Sequence, residues 1–153
     1  MKYNKQKHLD LLKYSQKLES EGKNFYDESK KDFLKLRKYS AMMIGHLQWE
    51  NRNQYFKLIE KLLNGPINFL DLRKKHRSIN DAVERLESEL ILLEPNEKGE
   101  GFDDLIDDLI SLFDRYCPDG TIQEDYELSE EELKKLIQEI FVEMKDRYPL
   151  KEE

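Results

Sequence analysis

Cysteine is almost absent from this chain of 153 residues, in which Cys117 stands alone. A lone cysteine excludes an internal disulfide and a thiolate-bound metal cluster, and it agrees with a reducing compartment. Glycine is also scarce, with six residues, and none of them forms part of a glycine-rich phosphate-binding loop. A disulfide-stabilised scaffold and a phosphate-loop enzyme are therefore excluded.

Long apolar runs are missing as well. No stretch approaches the ~18 apolar residues of a membrane span, and the opening residues lack the apolar segment of a secretory signal. Hydrophobic residues make up 38% of the chain and charged residues 39%, a mixture that folds and stays in water. We expect one domain in the cytoplasm, or in an organelle stroma if the gene is organellar, with no membrane partner.

The sequence offers little that could support catalysis. His8, His46 and His76 fall on different predicted helices and have none of the spacings of a metal site. Nothing in the sequence around Cys117 identifies a base that would activate it as a nucleophile. We therefore predict that the protein is not an enzyme and needs no cofactor.

One short segment imitates a calcium site. Asp119 and Gly120 look like the centre of an EF-hand loop between two acidic helices. When Gly120 is placed at the sixth loop position, however, Arg115 falls first and Tyr126 twelfth, where calcium requires oxygen ligands and a bidentate glutamate. We predict no metal site here.

Charge is distributed very unevenly along the chain. Residues 1–80 hold 18 Lys and Arg against 9 Asp and Glu, whereas residues 81–153 hold 8 against 24, and the net charge is -7. An acidic field of this strength repels nucleic acid and attracts basic proteins. The alternative explanation is that basic helices pack against acidic ones and their charges cancel. Cancellation, however, requires fewer carboxylates than the second half of the chain contains.

Helical periodicity runs along almost the whole sequence, and no alternating strand pattern competes with it. The sequence predicts an all-α fold, an antiparallel helical bundle of five or six helices. Apolar residues recur at three- and four-residue steps over residues 4–20, 25–63 and 102–116. The second of these segments is one long helix or two helices that break near residues 51–53.

Several helix ends carry recognisable signals. Gly65 and Pro66 end one helix, because glycine suits the left-handed cap and proline cannot continue the hydrogen-bond ladder. Asn68 is predicted to cap a helix that ends near Arg77, and Asn80 to cap a separate one.

The acidic half has its own boundary signals. Residues 94–101 read as an exposed loop, and Phe102 is predicted to begin the next helix. Ser129 and Glu132 form a capping box, which makes the start of the last helix the best-defined feature of the sequence. That helix is predicted to end near Arg147.

Several stretches follow the pattern of a known family. The segment 112–119, Leu-Phe-Asp-Arg-Tyr-Cys-Pro-Asp, precedes Tyr-Glu-Leu at 126–128 and Glu-Leu-Lys at 132–134. Upstream, residues 58–69 contain a tight Asn-Gly-Pro-Ile junction between two helices. Together these features resemble the colicin D immunity protein family over about residues 51–148.

The resemblance implies an antidote. Members of that family are small helical bundles that bind the catalytic domain of a tRNA-cleaving toxin and cover its substrate-binding surface with acidic residues. The expected partner is therefore a basic nuclease toxin domain, bound by a protein that is a monomer when free. Matching positions or charge nominate seven partner-binding residues: Asp107, Asp108, Asp114, Asp119, Glu124, Asp125 and Glu127.

Residues 1–50 have no counterpart in the resemblance. We expect them to form a basic helical extension that packs on the bundle of residues 51–148, with residues 149–153 as a loose tail. If the protein binds nucleic acid at all, this basic segment is where it does so, since Tyr3, Tyr14, Tyr26 and Tyr39 lie among its lysines. The alternative function is a structural or adaptor subunit of a larger ribonucleoprotein or protein assembly.

Overall fold

A computed structural model describes residues 2–85, 94–117 and 127–152, which form seven α-helices and no strand. The helices are α1 (Lys5–Ser20), α2 (Phe25–Glu28), α3 (Lys30–Glu50), α4 (Arg52–Asn64), α5 (Leu70–Glu84), α6 (Lys98–Phe113) and α7 (Glu130–Arg147). The prediction of an all-α helical bundle is confirmed. The described helices outnumber the predicted five or six, because the long segment from residue 25 is divided into three.

Polar side chains divide that segment. The Ser29 hydroxyl accepts a hydrogen bond from the Asp32 N–H, so α3 begins with only Ser29 between it and α2. Asn51 separates α3 from α4, as one of the two alternatives predicted, and its amide donates to the Leu47 carbonyl. At the start of α7, Ser129 and Glu132 form the capping box that the sequence predicts.

Predicted boundaries are wrong in two places. The helix that follows Asn68 does not end near Arg77, and Asn80 does not begin another one, because α5 continues to Glu84. The Asn80 side chain instead donates to the His76 carbonyl one turn earlier. The remainder of that predicted helix, residues 86–93, lies outside the described residues. Helix α6 begins at Lys98 and not at Phe102, so part of the predicted loop is helical.

A pair of glycines explains the early start of α6. Gly45 of α3 and Gly99 of α6 meet where the two helices cross, and both residues are buried. A Cβ atom on Gly45 would lie only 2.6 Å from the Gly99 carbonyl oxygen, which leaves no room for a side chain. Glycine usually weakens a helix, but here it allows two backbones to touch, and this close packing supports the first turn of α6.

One apolar core joins α4, α5, α6 and α7, and side chains of α3 pack against it. Phe102 lies at its centre, fully buried, with its ring in edge contact with the rings of Tyr55, Phe56 and Tyr148. The core fixes the orientation of α6. Its apolar face points inward, and its carboxylates are exposed except for Asp103, which is half-buried.

The two ends of the chain are attached to neighbouring helices. Helix α1 packs on α3, where the buried ring of His8 contacts Tyr3 and Tyr39. At the other end, Arg52 donates to the Pro149 carbonyl at 2.7 Å, and Asn53 exchanges two hydrogen bonds with the backbone of Lys151. The division into extension, bundle and tail stays a prediction.

Candidate partner-binding site

Helix α6 carries a dense group of carboxylates on its outer side. Asp103 and Asp107 are spaced four residues apart, as are Asp104 and Asp108, so each pair projects from successive turns. Glu100 adds a further carboxylate at the first turn. We call these five residues the α6 acidic face: Glu100, Asp103, Asp104, Asp107 and Asp108.

The acidic face has no cationic partner among the described residues. Ion pairs within 4.0 Å are found elsewhere in those parts of the chain, but none includes one of its five carboxylates. Like charges four residues apart on a helix repel one another, so this arrangement costs helix stability. The charge is therefore available to a positively charged partner.

Four of the seven predicted contact residues are described, and three of them lie along or at the end of α6. Asp107 and Asp108 are exposed on the acidic face. Asp114 follows the last turn of α6, with its side chain 77% exposed and 3.6 Å from the Arg73 guanidinium. That guanidinium lies over the Phe113 ring. Glu127 is half-buried.

A short backbone bridge connects the chain on either side of residues 118–126. Tyr116 and Leu128 pair as an isolated bridge, with the Cys117 N–H donating to the Leu128 carbonyl at 2.9 Å. The bridge brings Glu127 to the carboxyl end of α6, near Asp114. The other three predicted contacts, Asp119, Glu124 and Asp125, lie outside the described residues.

Beneath the acidic face lies a polar cluster that sequence reasoning missed. Gln48 of α3 is fully buried, and its Nε2 lies 2.9 Å from the His76 Nδ1 atom of α5. The same amide is close enough to the Asp103 carboxylate to favour its charged form. Gln48 lies in an apolar segment of α3, and nothing in its local sequence marks it as part of a site.

Burial and mutual repulsion alter the acidity of this region. Desolvation, with smaller contributions from Asp107 and Asp104, raises the pKa of Asp103 to about 7. Burial also raises the pKa of Asp107, although nearby His76 opposes the change. The pKa of His76 is lowered because burial disfavours its charged form, and Asp107 opposes that effect. With a pKa of about 7, Asp103 gains and loses its proton near neutral pH.

Tyr55 belongs to the same region. Its hydroxyl is buried and has no hydrogen-bond partner among the described residues, and the same is true of the Gln48 Oε1 atom. Burial raises the pKa of Tyr55, with a further contribution from the Asp103 charge. Two buried polar atoms without a partner therefore lie next to one carboxylate, which is unusual in a folded protein.

Replacing Tyr55 by phenylalanine tests whether this hydroxyl is as poorly paired as the geometry indicates. We expect Tyr55→Phe to raise the free energy of unfolding by about 1 kcal/mol, because it removes a buried polar group without removing a hydrogen bond. Chemical denaturation of both proteins measures the difference. A loss of stability of similar size would show that the hydroxyl has a partner and contradict the prediction.

A family model matches the part of the chain that contains the acidic face. The model describes bacterial self-protective colicin-like immunity, and it matches residues 52–144, which are 93 of the 153 residues. The chain belongs to the colicin-like immunity family. No curated protein and no solved structure matches it.

Family membership gives the acidic face a context. The match spans α4, α5, α6 and most of α7, so all four described contact candidates of this immunity-family chain lie within it. Proteins of this family protect bacteria from a toxin, which makes a toxin protein the expected partner. Helices α1, α2 and α3 precede the matched region, and with them Gln48 and Gly45.

The described residues of this immunity-family chain contain neither a membrane-spanning helix nor a cluster of metal ligands. None of the described helices is both long and apolar enough to cross a lipid bilayer. In the same residues, His, Cys, Asp and Glu side chains do not gather in any group of three or more that could hold a metal ion.

Proposed function

We propose that this immunity-family protein is the antidote to a basic, tRNA-cleaving nuclease toxin, and that it acts by binding and not by catalysis. It covers the substrate-binding surface of the toxin domain with carboxylates, as the resemblance to the colicin D immunity family suggests. The observation that carries the proposal is the α6 acidic face, whose five carboxylates have no ion-pair partner among the described residues.

The chemistry of the partner explains why carboxylates suit this task. A nuclease must present lysine and arginine side chains to the phosphates of its RNA substrate. Carboxylates spaced along a rigid helix can occupy those cationic positions in place of phosphates. Asp107, Asp108 and Asp114 extend from the middle of α6 to its carboxyl end, and we add Glu127, which precedes the bridge residue Leu128, as a fourth contact.

Asp119, Glu124 and Asp125 follow in sequence between Asp114 and Glu127, and we propose them as further toxin contacts, Asp119 on the basis of the resemblance and the other two on the basis of charge. The complex is expected to form quickly and to weaken as salt is added, because long-range attraction between opposite charges accelerates encounter and is screened by ions.

Charge reversal on α6 tests the proposal. We expect Asp107→Lys/Asp108→Lys to weaken, by roughly 100-fold or more, the binding of a nuclease toxin domain that the wild-type protein inhibits, since paired charges at an interface contribute several kcal/mol. The matched control is Glu139→Lys/Asp146→Lys, which makes the same change in net charge at exposed positions of α7. Calorimetry at two salt concentrations gives the affinities, and a tRNA-cleavage assay shows whether inhibition falls in parallel.

The two double variants separate local contact from net charge. Equal loss in both would mean that only the overall charge of the protein matters. Full binding and inhibition by the α6 variant would remove the acidic face from the interface. If the wild-type protein binds ribosomal or other assembly components and no nuclease, the adaptor function takes the place of the antidote.

A further inference from the structure

A groove of about 330 Å³ lies between α3 and α6, beside the acidic face. One wall consists of Glu100, Asp103 and Asp104, and the other of Ala41, Met42 and the stem of Lys38. The groove therefore combines a carboxylate wall with a partly apolar one. Such a shape suits a long side chain with an apolar stem and a cationic end.

The carboxylate wall lacks the partners that would balance it. Lys38 lines the groove, yet among the described residues it forms no ion pair with the acidic wall. Near Asp103, the fully buried Gln48 has an Oε1 atom with no hydrogen-bond partner among the described residues. The buried Tyr55 hydroxyl also lacks a partner among those residues. Gln48 and Tyr55 do not line the groove, but both lie close to Asp103, so a cation that entered the groove would meet a carboxylate that has buried polar groups next to it.

We propose that this groove is the receptor for one basic side chain of the toxin domain, whose cation binds Asp103 and Glu100 while its methylenes lie on Ala41 and Met42. This inference rests on the proposed function and adds a specific contact to it. Half of the receptor comes from α3, which precedes the family match at residue 52. Residues outside the matched region would then help to select the cognate toxin.

Occupation of the groove would change the acidity of Asp103. The groups near Asp103 are Glu100, Asp104 and Asp107 on α6, Lys38 and Gln48 on α3, and Tyr55 on α4. His76 of α5 contacts Gln48 and lies near Asp107. An arriving cation favours the carboxylate, so it lowers the pKa from its free value of about 7 and releases a proton. Binding is therefore expected to tighten as pH rises through neutrality.

Model ligands test the receptor without the toxin. Carbon-13 NMR of the Asp and Glu carboxyl groups is recorded on the full-length protein while Nα-acetyl-arginine amide, the corresponding lysine amide or the neutral citrulline amide is added. We expect the arginine or lysine compound to shift the Asp103 signal and lower its titration midpoint, with no effect of citrulline. Equal shifts at Asp103 and at the distant Glu139, or equal effects of citrulline, would overturn the proposal.

Three variants extend the test to the toxin domain. Asp103→Asn removes the charge with little change of shape, Ala41→Leu fills the groove without changing charge, and Glu139→Gln is the control for charge loss elsewhere. We expect the first two to weaken toxin binding about tenfold or more, as for a lost charged contact, and the control to bind normally.

The outcomes distinguish the two proposals. If the toxin domain binds Asp103→Asn and Ala41→Leu as tightly as the wild type, the receptor is wrong while the antidote function stands. If no nuclease domain binds the wild-type protein, the antidote function fails, and the NMR titration alone decides whether the groove receives a basic side chain.

Discussion

Gly99→Ala is expected to lower the free energy of unfolding by about 3 kcal/mol, although alanine favours a helix over glycine by about 1 kcal/mol. A Cβ atom on Gly99 would lie 2.5 Å from the His46 amide nitrogen and 2.8 Å from the Gly45 carbonyl oxygen. These are backbone atoms of α3, which cannot rotate away as a side chain could. The two helices must separate, and the packing that supports the first turn of α6 is lost.

Urea denaturation of the wild type and of the alanine variants measures the effect. Gly65→Ala is the control, because a Cβ there meets only the Lys61 carbonyl oxygen at 3.4 Å, and its effect should remain within about 0.5 kcal/mol. Gly45→Ala should resemble Gly99→Ala, since it closes the same contact from the other helix. Unchanged stability of both variants would mean that α3 and α6 do not cross at these glycines.

Asp103→Asn is expected to stabilise the protein at pH 8 by about 1 to 2 kcal/mol and to leave it unchanged at pH 4. An aspartate in an unfolded chain has a pKa of about 3.9, whereas burial raises that of Asp103 to about 7. Between these values the folded protein holds a proton that the unfolded chain has released. The contribution of Asp103 to stability is therefore complete below about pH 4 and is lost as pH rises through 7.

Other groups oppose this trend, so the comparison must be made between variant and wild type at each pH. Burial lowers the pKa of His8 to about 4 and also lowers those of His46 and His76. Their contribution is lost as pH falls below about 6.5, the usual histidine value. Subtracting one protein from the other cancels these groups to a first approximation, although His76 lies near the altered site. A difference in stability that does not vary with pH would contradict the raised pKa.

The two effects of Asp103→Asn have opposite consequences. The substitution relieves repulsion and desolvation in the folded protein, but it also removes the carboxylate that we assign to toxin binding. A functional surface commonly reduces stability in this way. The cost to the free protein is largest at alkaline pH, where Asp103 is charged, and binding of a cation offsets it.

Much of the secondary structure follows directly from local sequence. The capping box at Ser129 is a local arrangement of two side chains with their own backbone, and it is therefore visible without a structure. The Gly65-Pro66 junction between α4 and α5 is visible too, but the expected left-handed cap is wrong, because Gly65 has an extended backbone conformation. Asn80 failed as a helix start because a side chain that suits a cap can also bond to a carbonyl one turn earlier when the helix continues.

The acidic face was only partly predictable. A count of charges shows that the second half of the chain is acidic, and helical spacing places Asp107 and Asp108 together. Neither observation shows that Asp103 is half-buried beside Gln48. That burial requires α3 to pack against α6, and the packing depends on Gly45 and Gly99, which are 54 positions apart in the sequence. The raised pKa of Asp103 depends on that contact.

The sequence by itself determined the fold class, most helix positions, the sign of the charge on each half and the resemblance to immunity proteins, because these depend on composition and on neighbours a few residues apart. The tertiary structure alone decided that two helix-weakening glycines form a helix crossing, and that Gln48, Tyr55, His76 and Asp103 share one site. Burial and long-range contact set those properties, and both arise only when distant segments pack together.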